Sequence, residues 1–517
     1  DYIVVTPDFP ANSGDSVGGY GQPHMWFALF GDPVSPGSGA FVHSDGEDIA
    51  FRAGPVRFAR SYSSRNMDAG IIPSMGLNWT HTYDARVSVQ ANQARLDLPN
   101  GRREWFNKSG SQWTVAGQGP NTVSLQQLPT SWIATDATRS LQYTFDTTGK
   151  LTRLDDGFVP VHVTWNGADI KSVSDSMGHT ISFTTNPVGL ILTATDGSRT
   201  MTYAYNANNE LASASENGGD AITYGYDATS AGRLTTISRT GINNIISSTY
   251  DVRGNVVSQV DAEGNAWTYV YGNGTATVTD GDGNKEIHAF APNGQATSVG
   301  TNVGAVTFSY DVNGRPTTVT SAEGHATTVT WHSSGQVASR RSADGATTTY
   351  SYVARQWNGA TVYDLSSTKH RDGSQTDYTR DARGHVLTVK DASGATTTFT
   401  RHAVTGYITS EKDALNRTTQ YAYDVMGQAT GTISSNNLVS SATTNARGDI
   451  TGMTLPDAST LAFTYDAHGR ILTDKNELGN TTTYTRDLRG NVTQVKSPSN
   501  KTESWTYNKL GAPTLYT

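Results

Sequence analysis

Oxygen-bearing side chains spaced by one residue are the arrangement here most able to do chemistry. Thr279-Asp280-Gly281-Asp282-Gly283-Asn284-Lys285-Glu286 offers alternating oxygens like those that open a calcium loop. The same stretch also reads as a tight turn, with Asp280 at its first position and Gly283 at its last. An EF-hand needs a glutamate at loop position twelve, and counting from Asp280 that position is Ala291. Asp280, Asp282 and Asn284 are thus candidate calcium ligands, with a structural turn as the competing reading. The 12 histidines form neither a His-Glu-x-x-His motif nor a close pair for zinc, and His332 and His468 fall in turns, where a surface position is expected. No Gly-x-Ser-x-Gly elbow and no Gly-x-x-x-x-Gly-Lys-(Ser/Thr) phosphate loop occurs. The chain has no cysteine, which excludes disulfides, thiolate metal sites and cysteine nucleophiles. Sequence therefore assigns no catalytic residue and no cofactor, and turn positions account for the abundant aspartates.

Composition points to the elements that position these residues. Charged residues make up 16% of the 517, against a usual ~25%, and the place of charge is taken by threonine, serine, asparagine and glycine. That mixture suits strands and turns far better than helices. A net charge of −8 offers no overall electrostatic footprint for nucleic acid or anionic lipid. No stretch approaches the ~18 apolar residues of a membrane-spanning helix, and Asp1-Tyr2-Ile3-Val4-Val5 has neither the basic nor the apolar region of a signal peptide. Without an initiating methionine, the start is read as a processed or trimmed end.

The turns recur with a fixed period. Tyr421-Ala-Tyr423-Asp424-Val-Met-Gly427, Phe463-Thr-Tyr465-Asp466-Ala-His-Gly469, Tyr484-Thr-Arg-Asp487-Leu-Arg-Gly490 and Trp505-Thr-Tyr507-Asn508-Lys-Leu-Gly511 share one pattern, and Asn445-Ala-Arg-Gly448 fills the gap, so that positions 424, 445, 466, 487 and 508 lie 21 apart. Upstream the pattern returns less regularly at Tyr143 to Gly149, Tyr224-Gly-Tyr226-Asp227, Tyr250-Asp251 to Gly254, Phe308-Ser-Tyr310-Asp311 to Gly314, Trp331 to Gly335 and Tyr378-Thr-Arg-Asp381 to Gly384. A second turn follows about ten residues later, as at Asp261 to Gly264, Asp391 to Gly394 and Asn476 to Gly479. Asp or Asn at the first turn position caps it, and Gly at the last accepts the left-handed conformation.

The segments between turns alternate and are rich in Thr, Val and Tyr, so each unit predicts two short antiparallel strands. Both rings of the aromatic-x-Tyr pair fall on one face, where stacking on the next repeat is expected. Residues 200–517 hold about 15 units, hence about 30 strands and a ribbon roughly 145 Å wide at ~4.8 Å per strand. Accumulated twist curls so wide a sheet into a spiral or closed wall. The fold expected is all-β, a curled hollow β-shell with an N-terminal β-rich capping module. Its divisions are 1–30 as a leader or plug-like segment holding Pro23 to Phe30, 31–120 as the module, and 121–517 as repeat wall ending mid-unit, where more chain is expected.

The unit Tyr-x-Tyr-Asp-x-x-Gly with its downstream Asp-x-x-Gly resembles the YD repeat of the Rhs family, which includes bacterial polymorphic toxins, insecticidal toxin-complex C subunits and teneurins. Gly31 to Gly39, Gly54-Pro-Val-Arg-Phe-Ala-Arg-Ser-Tyr62 and Gly76-Leu-Asn-Trp-Thr-His-Thr-Tyr83 are similar to the module that opens the repeats of bacterial members. The resemblance implies a hollow shell that encloses the protein's own C-terminal toxin until delivery, in a secreted or cell-surface bacterial protein used in competition. It implies as partners that effector or the rest of the shell, and secretion-machinery or immunity proteins, with no nucleic acid bound through this region. The family's closing core, with its Asp-Pro-x-Gly elements and autoproteolytic aspartates, has no match in 1–517, nor has a toxin domain, so no catalytic residue carries over and the chain is expected to be non-enzymatic. The competing expectation is an adhesin or recognition module that grips carbohydrate or protein; a polysaccharide-cleaving enzyme would require a carboxylate pair that the sequence does not reveal.

Overall fold

The computed structural model describes residues 34–66, 74–99, 102–116, 122–217 and 219–517; the segment 1–30 lies outside them. These residues form 47 strands, β1 to β47, and no helix. Thirty of the strands lie between Thr200 and Tyr516, the number the repeat period predicts.

Two bodies of sheet result. β1 (Val34–Ser35), β2 (Ala40–His43), β3 (Glu47–Ala50), β4 (Arg57–Ser63) and β5 (Trp79–His81) make a small antiparallel sheet. From β6 (Arg86–Gln90) to β47 (Pro513–Tyr516) every strand pairs antiparallel with its neighbour in sequence, giving one continuous ribbon. The ribbon bends back on itself near its start, where Arg86 bridges Lys150 and Val87 N–H donates to Gly149 O at 3.0 Å. The terminal strands β6 and β47 pair only with their sequence neighbours. The continuous ribbon therefore begins at residue 86. Residues 86–115 lack the Tyr-x-Tyr-Asp signature, but backbone pairing needs only strand propensity and short connections.

Most repeat turns are built the same way. At Asp466, the N–H bonds to Arg470 O (2.9 Å), Gly469 N–H bonds to Asp466 O (3.0 Å), and Oδ1 accepts the N–H groups of His468 and Arg470, both at 2.9 Å. Gly469 sits at φ 76°, where a Cβ would be strained. The fifth residue joins in: Arg470 Nε donates to Asp466 Oδ2 at 2.6 Å, and Asn255 and His385 face Asp251 and Asp381 in the same way.

The long-range contacts show the ribbon winding over itself. Asn358 Nδ2 donates to Gln142 Oε1 (2.9 Å), Arg383 donates to Phe158 O, His468 meets Glu216 (3.1 Å) and Lys509 N–H donates to Glu263 Oε1 (2.9 Å), at separations of 216, 225, 252 and 246 residues. One turn of the spiral thus takes ten to twelve repeats. His332 and His468 are half-buried, which corrects the surface expectation: His332 packs on Tyr352 and Tyr363, and His468 lies in the seam between turns.

The core is confined to the early part. Trp79, Tyr62, Phe58 and Phe41 of the module join Phe145, Leu151, Ile191, Tyr203 and Leu234 of the wall in one buried cluster. Beyond Leu365 no described hydrophobic side chain is buried.

Candidate functional site: the junction of module and wall

A dense, buried cluster of charge lies where the small sheet meets the wall. β4 alternates, so Phe58, Arg60 and Tyr62 all point at the ribbon, and all three are buried. Arg60 Nη1 donates to Asp48 Oδ2 at 2.6 Å, and its Nη2 donates to Asp45 Oδ2 at 2.8 Å and to Tyr224 Oη at 2.9 Å. Tyr203 Oη donates to Asp48 Oδ2 (2.7 Å), Tyr224 Oη donates to Asp45, and His43 Nε2 lies 2.9 Å from Asp45 Oδ1. Arg60 also sits within 6 Å of the rings of Trp79, Tyr203 and Tyr224.

Electrostatics closes this cluster. Burial pushes the Asp45 carboxyl up, but the His43 hydrogen bond, the charges of His43 and Arg60 and the Tyr224 hydroxyl hold it below the usual carboxylate range. Burial opposes the charge on Arg60, and Asp48, Tyr224, Asp45 and Tyr203 together more than offset it, so the guanidinium stays charged. Burial drives Tyr203 and Tyr224 upward, so both remain hydroxyl donors. Around this centre, Tyr62 Oη donates to Gly232 O (2.8 Å) and accepts from Leu234 N–H (2.9 Å), Trp79 Nε1 donates to Tyr226 Oη (2.9 Å), and Val256 N–H donates to Gly39 O (2.9 Å). Each of these bonds runs to another part of the chain, so the arrangement holds the two sheets together.

The repeat residues named from sequence have two jobs. The Asp and Gly positions, including Asp251/Gly254, Asp311/Gly314, Asp381/Gly384, Asp424/Gly427, Asp466/Gly469, Asp487/Gly490 and Asn508/Gly511, make the turns. Asp227 opens a longer one, its N–H bonded to Arg233 O. The second aromatic does not chiefly stack, as the sequence suggested: a register shift at that residue re-aims it, and its hydroxyl donates to a carbonyl of the preceding unit. Tyr226, Tyr250, Tyr310, Tyr423, Tyr465 and Tyr507 bond Leu211, Leu234, Ala296, Ile408, Ile450 and Val492 at 2.6 to 2.8 Å. At three units where another residue replaces tyrosine the bond persists: Arg380 and Arg401 donate Nε to Leu365 O and Val386 O, and Trp331 donates Nε1 to Pro316 O, whereas Arg486 donates Nη1 to Gly490 O instead. Phe145, Thr185, Phe290 and Thr444 stand at the same position, so the tether is frequent along the ribbon without being present in every unit. The first aromatics differ in partner, since Tyr224 joins the Arg60 cluster, while Tyr421 and Tyr484 donate to Glu411 (3.3 Å) and Asp474 (2.6 Å).

At the calcium candidate, Asp280 Oδ1 accepts the N–H groups of Asp282 (3.0 Å) and Asn284 (2.8 Å), and Oδ2 accepts Asn284 Nδ2 (2.9 Å). Its oxygens are engaged in the turn, and among the described residues no group of three or more metal-ligating side chains converges.

Comparison with known proteins fits this construction. A domain of unknown function, DUF6531, matches residues 31–106, covering the small sheet and the first strands of the ribbon, and an RHS Repeat matches 292–326, within the wall. No curated protein matches the sequence. Solved structures similar to the chain include TcdB2-TccC3 without its hypervariable C-terminal region (12% identity, TM-score 0.41, 88% of this chain and 27% of that one). Others are TcdB2-TccC3 (13%, 0.37, 93% and 29%) and the Photorhabdus luminescens Tc holotoxin pore carrying TccC3 D651A (9%, 0.36, 92% and 35%). The chain spans about a third or less of the length of each. The chain thus carries an RHS repeat, and the turn and bulge of the matched unit recur along the ribbon.

Proposed function

We propose that the chain is a wall segment of a secreted bacterial Rhs-type toxin container, non-enzymatic in itself, that shields a C-terminal effector before delivery. The observation that carries this reading is the winding of one unbroken hydrogen-bonded ribbon over its own first turn, with the small sheet filling one side of that turn. The mechanism is steric: a wall whose strands pair without interruption excludes protease and water from its inner side and opens only by breaking ladders in series. Its partners under this reading are the effector, the rest of the container and the export and immunity proteins that serve it.

Intact mass spectrometry of the protein as its source produces it tests this. A 55.3 kDa chain that holds a second polypeptide under native conditions, or a longer chain with a protease-resistant C-terminal passenger, is the expected result. A lone chain with no passenger, whose inner face is freely cleaved, would overturn it in favour of a recognition module.

A further inference from the structure

Two methionines face each other across the seam where the second turn of the spiral rests on the first. Met177 stands third in the loop Asp175 to Gly178 of the first turn, and Met426 stands third in the loop Asp424 to Gly427 of the second. Asp175 Oδ1 accepts the N–H of Met177 and Asp424 Oδ1 that of Met426, each at 2.9 Å, so both side chains leave capped loops in a fixed direction. Each lies on the glycine of the other loop. A Cβ on Gly427 would come within 2.9 Å of Met177 Sδ and 2.8 Å of Tyr407 Cε2, and one on Gly178 within 3.5 Å of Met426 Sδ. Glycine at both places lets a thioether reach the opposing backbone.

The small sheet enters at the same place. In the connection between β3 and β4, a Cβ on Gly54 would meet Met177 Cε at 3.0 Å and His179 Cε1 at 2.7 Å, and Phe51 packs on the His179 ring at 4.5 Å between centroids. Beside it, Arg52 Nε donates to Asp449 Oδ1 (2.8 Å) and its Nη2 to Gly469 O (3.2 Å), both in the second turn. Met177 therefore touches the module and the second turn from its place in the first. The seam contacts of Asn358, Arg383, His468 and Lys509 are hydrogen bonds, whereas this one rests on two sulfurs. Met177 and Met426 are half-buried, so an oxidant in solvent reaches them, while Met75 and Met201 are 0% and 7% exposed. Met453 is also half-buried, but it sits within the strand Ile450–Thr454, paired with Ala442 and Leu461. Met25 and Met67 lie outside the described residues.

We propose that Met177 and Met426 form a redox-sensitive clasp, opened when hydrogen peroxide oxidises their thioethers to sulfoxides. In each, a sulfur lone pair attacks one peroxide oxygen, the O–O bond breaks, an S–O bond forms and the second oxygen leaves as water; the sulfur loses two electrons and the peroxide gains them. The side chain turns from apolar to polar and chiral. At Met177 the new oxygen enters a contact bounded by the Gly427 backbone, the edge of the Tyr407 ring, Gly54 and His179, all fitted to a bare thioether. It forfeits the soft packing of sulfur on those rings. The two sulfurs approach the seam from opposite sides, so oxidation of either parts the same contact. The loops 175–178 and 424–427 and the module connection 51–56 then separate, while the strand ladders within each turn, held by backbone hydrogen bonds, stay closed. The proposal rests on the winding alone and asks nothing of a cargo.

The test is peptide-resolved mass spectrometry with hydrogen exchange on the full chain, before and after hydrogen peroxide. Met177 and Met426 should gain an oxygen about tenfold sooner than Met75 and Met201, and the amides of 51–56 and 424–428 should then exchange about tenfold faster while those of 191–195 keep their rate. Methionine sulfoxide reductases should return the exchange to its untreated rate. The double variant Met177→Leu/Met426→Leu conserves volume and has no sulfur to oxidise, so it should exchange as the parent does before treatment and remain there after it. Met453→Leu should respond to peroxide as the parent does. Oxygen gained at 177 and 426 no sooner than at 75 and 201, unchanged exchange in the oxidised parent, or the same acceleration in the double leucine variant would each overturn the proposal.

Discussion

The same repeat lives in two environments. In the first turn Tyr203, Tyr224 and Tyr269 present their rings to the small sheet and are nearly fully buried. In the second turn the matching rings of Tyr421, Phe463, Tyr484 and Trp505 stay half-buried, and nothing described covers them. Turn and bulge are unchanged between the two. Local hydrogen bonding thus specifies the hairpin, while burial, which depends on what lies across the face, sets how tightly each hairpin is held.

That contrast can be broken most strongly at its centre. Arg60→Met leaves Asp45 and Asp48 buried without their cation and should cost about 3–5 kcal/mol, read as a lowered urea midpoint, with protease sites opening in 34–66. An unchanged midpoint would mean the small sheet is not what stabilises the first turn. Next, Tyr203→Ala should cost about 3–5 kcal/mol and Tyr484→Ala about 1, since only the first ring fills a core. Equal losses in chemical denaturation would erase the distinction between turns. The tether should matter alike in both: Tyr250→Phe and Tyr465→Phe should each lose about 1 kcal/mol, whereas Arg401→Tyr, which keeps a donor, should stay within about 0.5.

The smallest effect concerns the seam. His385 packs against Phe158 of the first turn at 4.3 Å between ring centroids. Burial lowers its proton affinity, the hydrogen bond and charge of Asp381 oppose this, and Arg383 and Arg401 add to it. A histidine with a folded pKa below its unfolded value contributes full stability above about 6.5, and that contribution declines as pH falls through this value. Hydrogen exchange at 383–386 should therefore quicken between pH 7 and 5 in the parent and not in His385→Gln.

Much of this was legible in the sequence. Asp251, Asp311 and Asp466 announce turns through local bonds that need no distant partner, and counting units gave the strands between Thr200 and Tyr516. The reason for tyrosine at the tether position was hidden, because its acceptor is a backbone carbonyl, which every residue has. Arg380 and Arg401 at that position were the available clue. The lock of Arg60 on Tyr203 and Tyr224 was not readable, since contacts across some 150 residues leave no local pattern, and the seam shares that property.

The neighbour-by-neighbour pairing of the ribbon has a mechanical consequence. Pulled by its two ends, such a sheet is loaded one ladder at a time, like a zipper, and each hairpin of 21 residues released adds about 70 Å of extended chain. Force-extension traces should show a sawtooth of that step, with low peaks while the second turn peels away. The peaks should rise where Tyr203 and Tyr224 must be drawn off the small sheet, so that the molecule resists tension most where it has already wound upon itself.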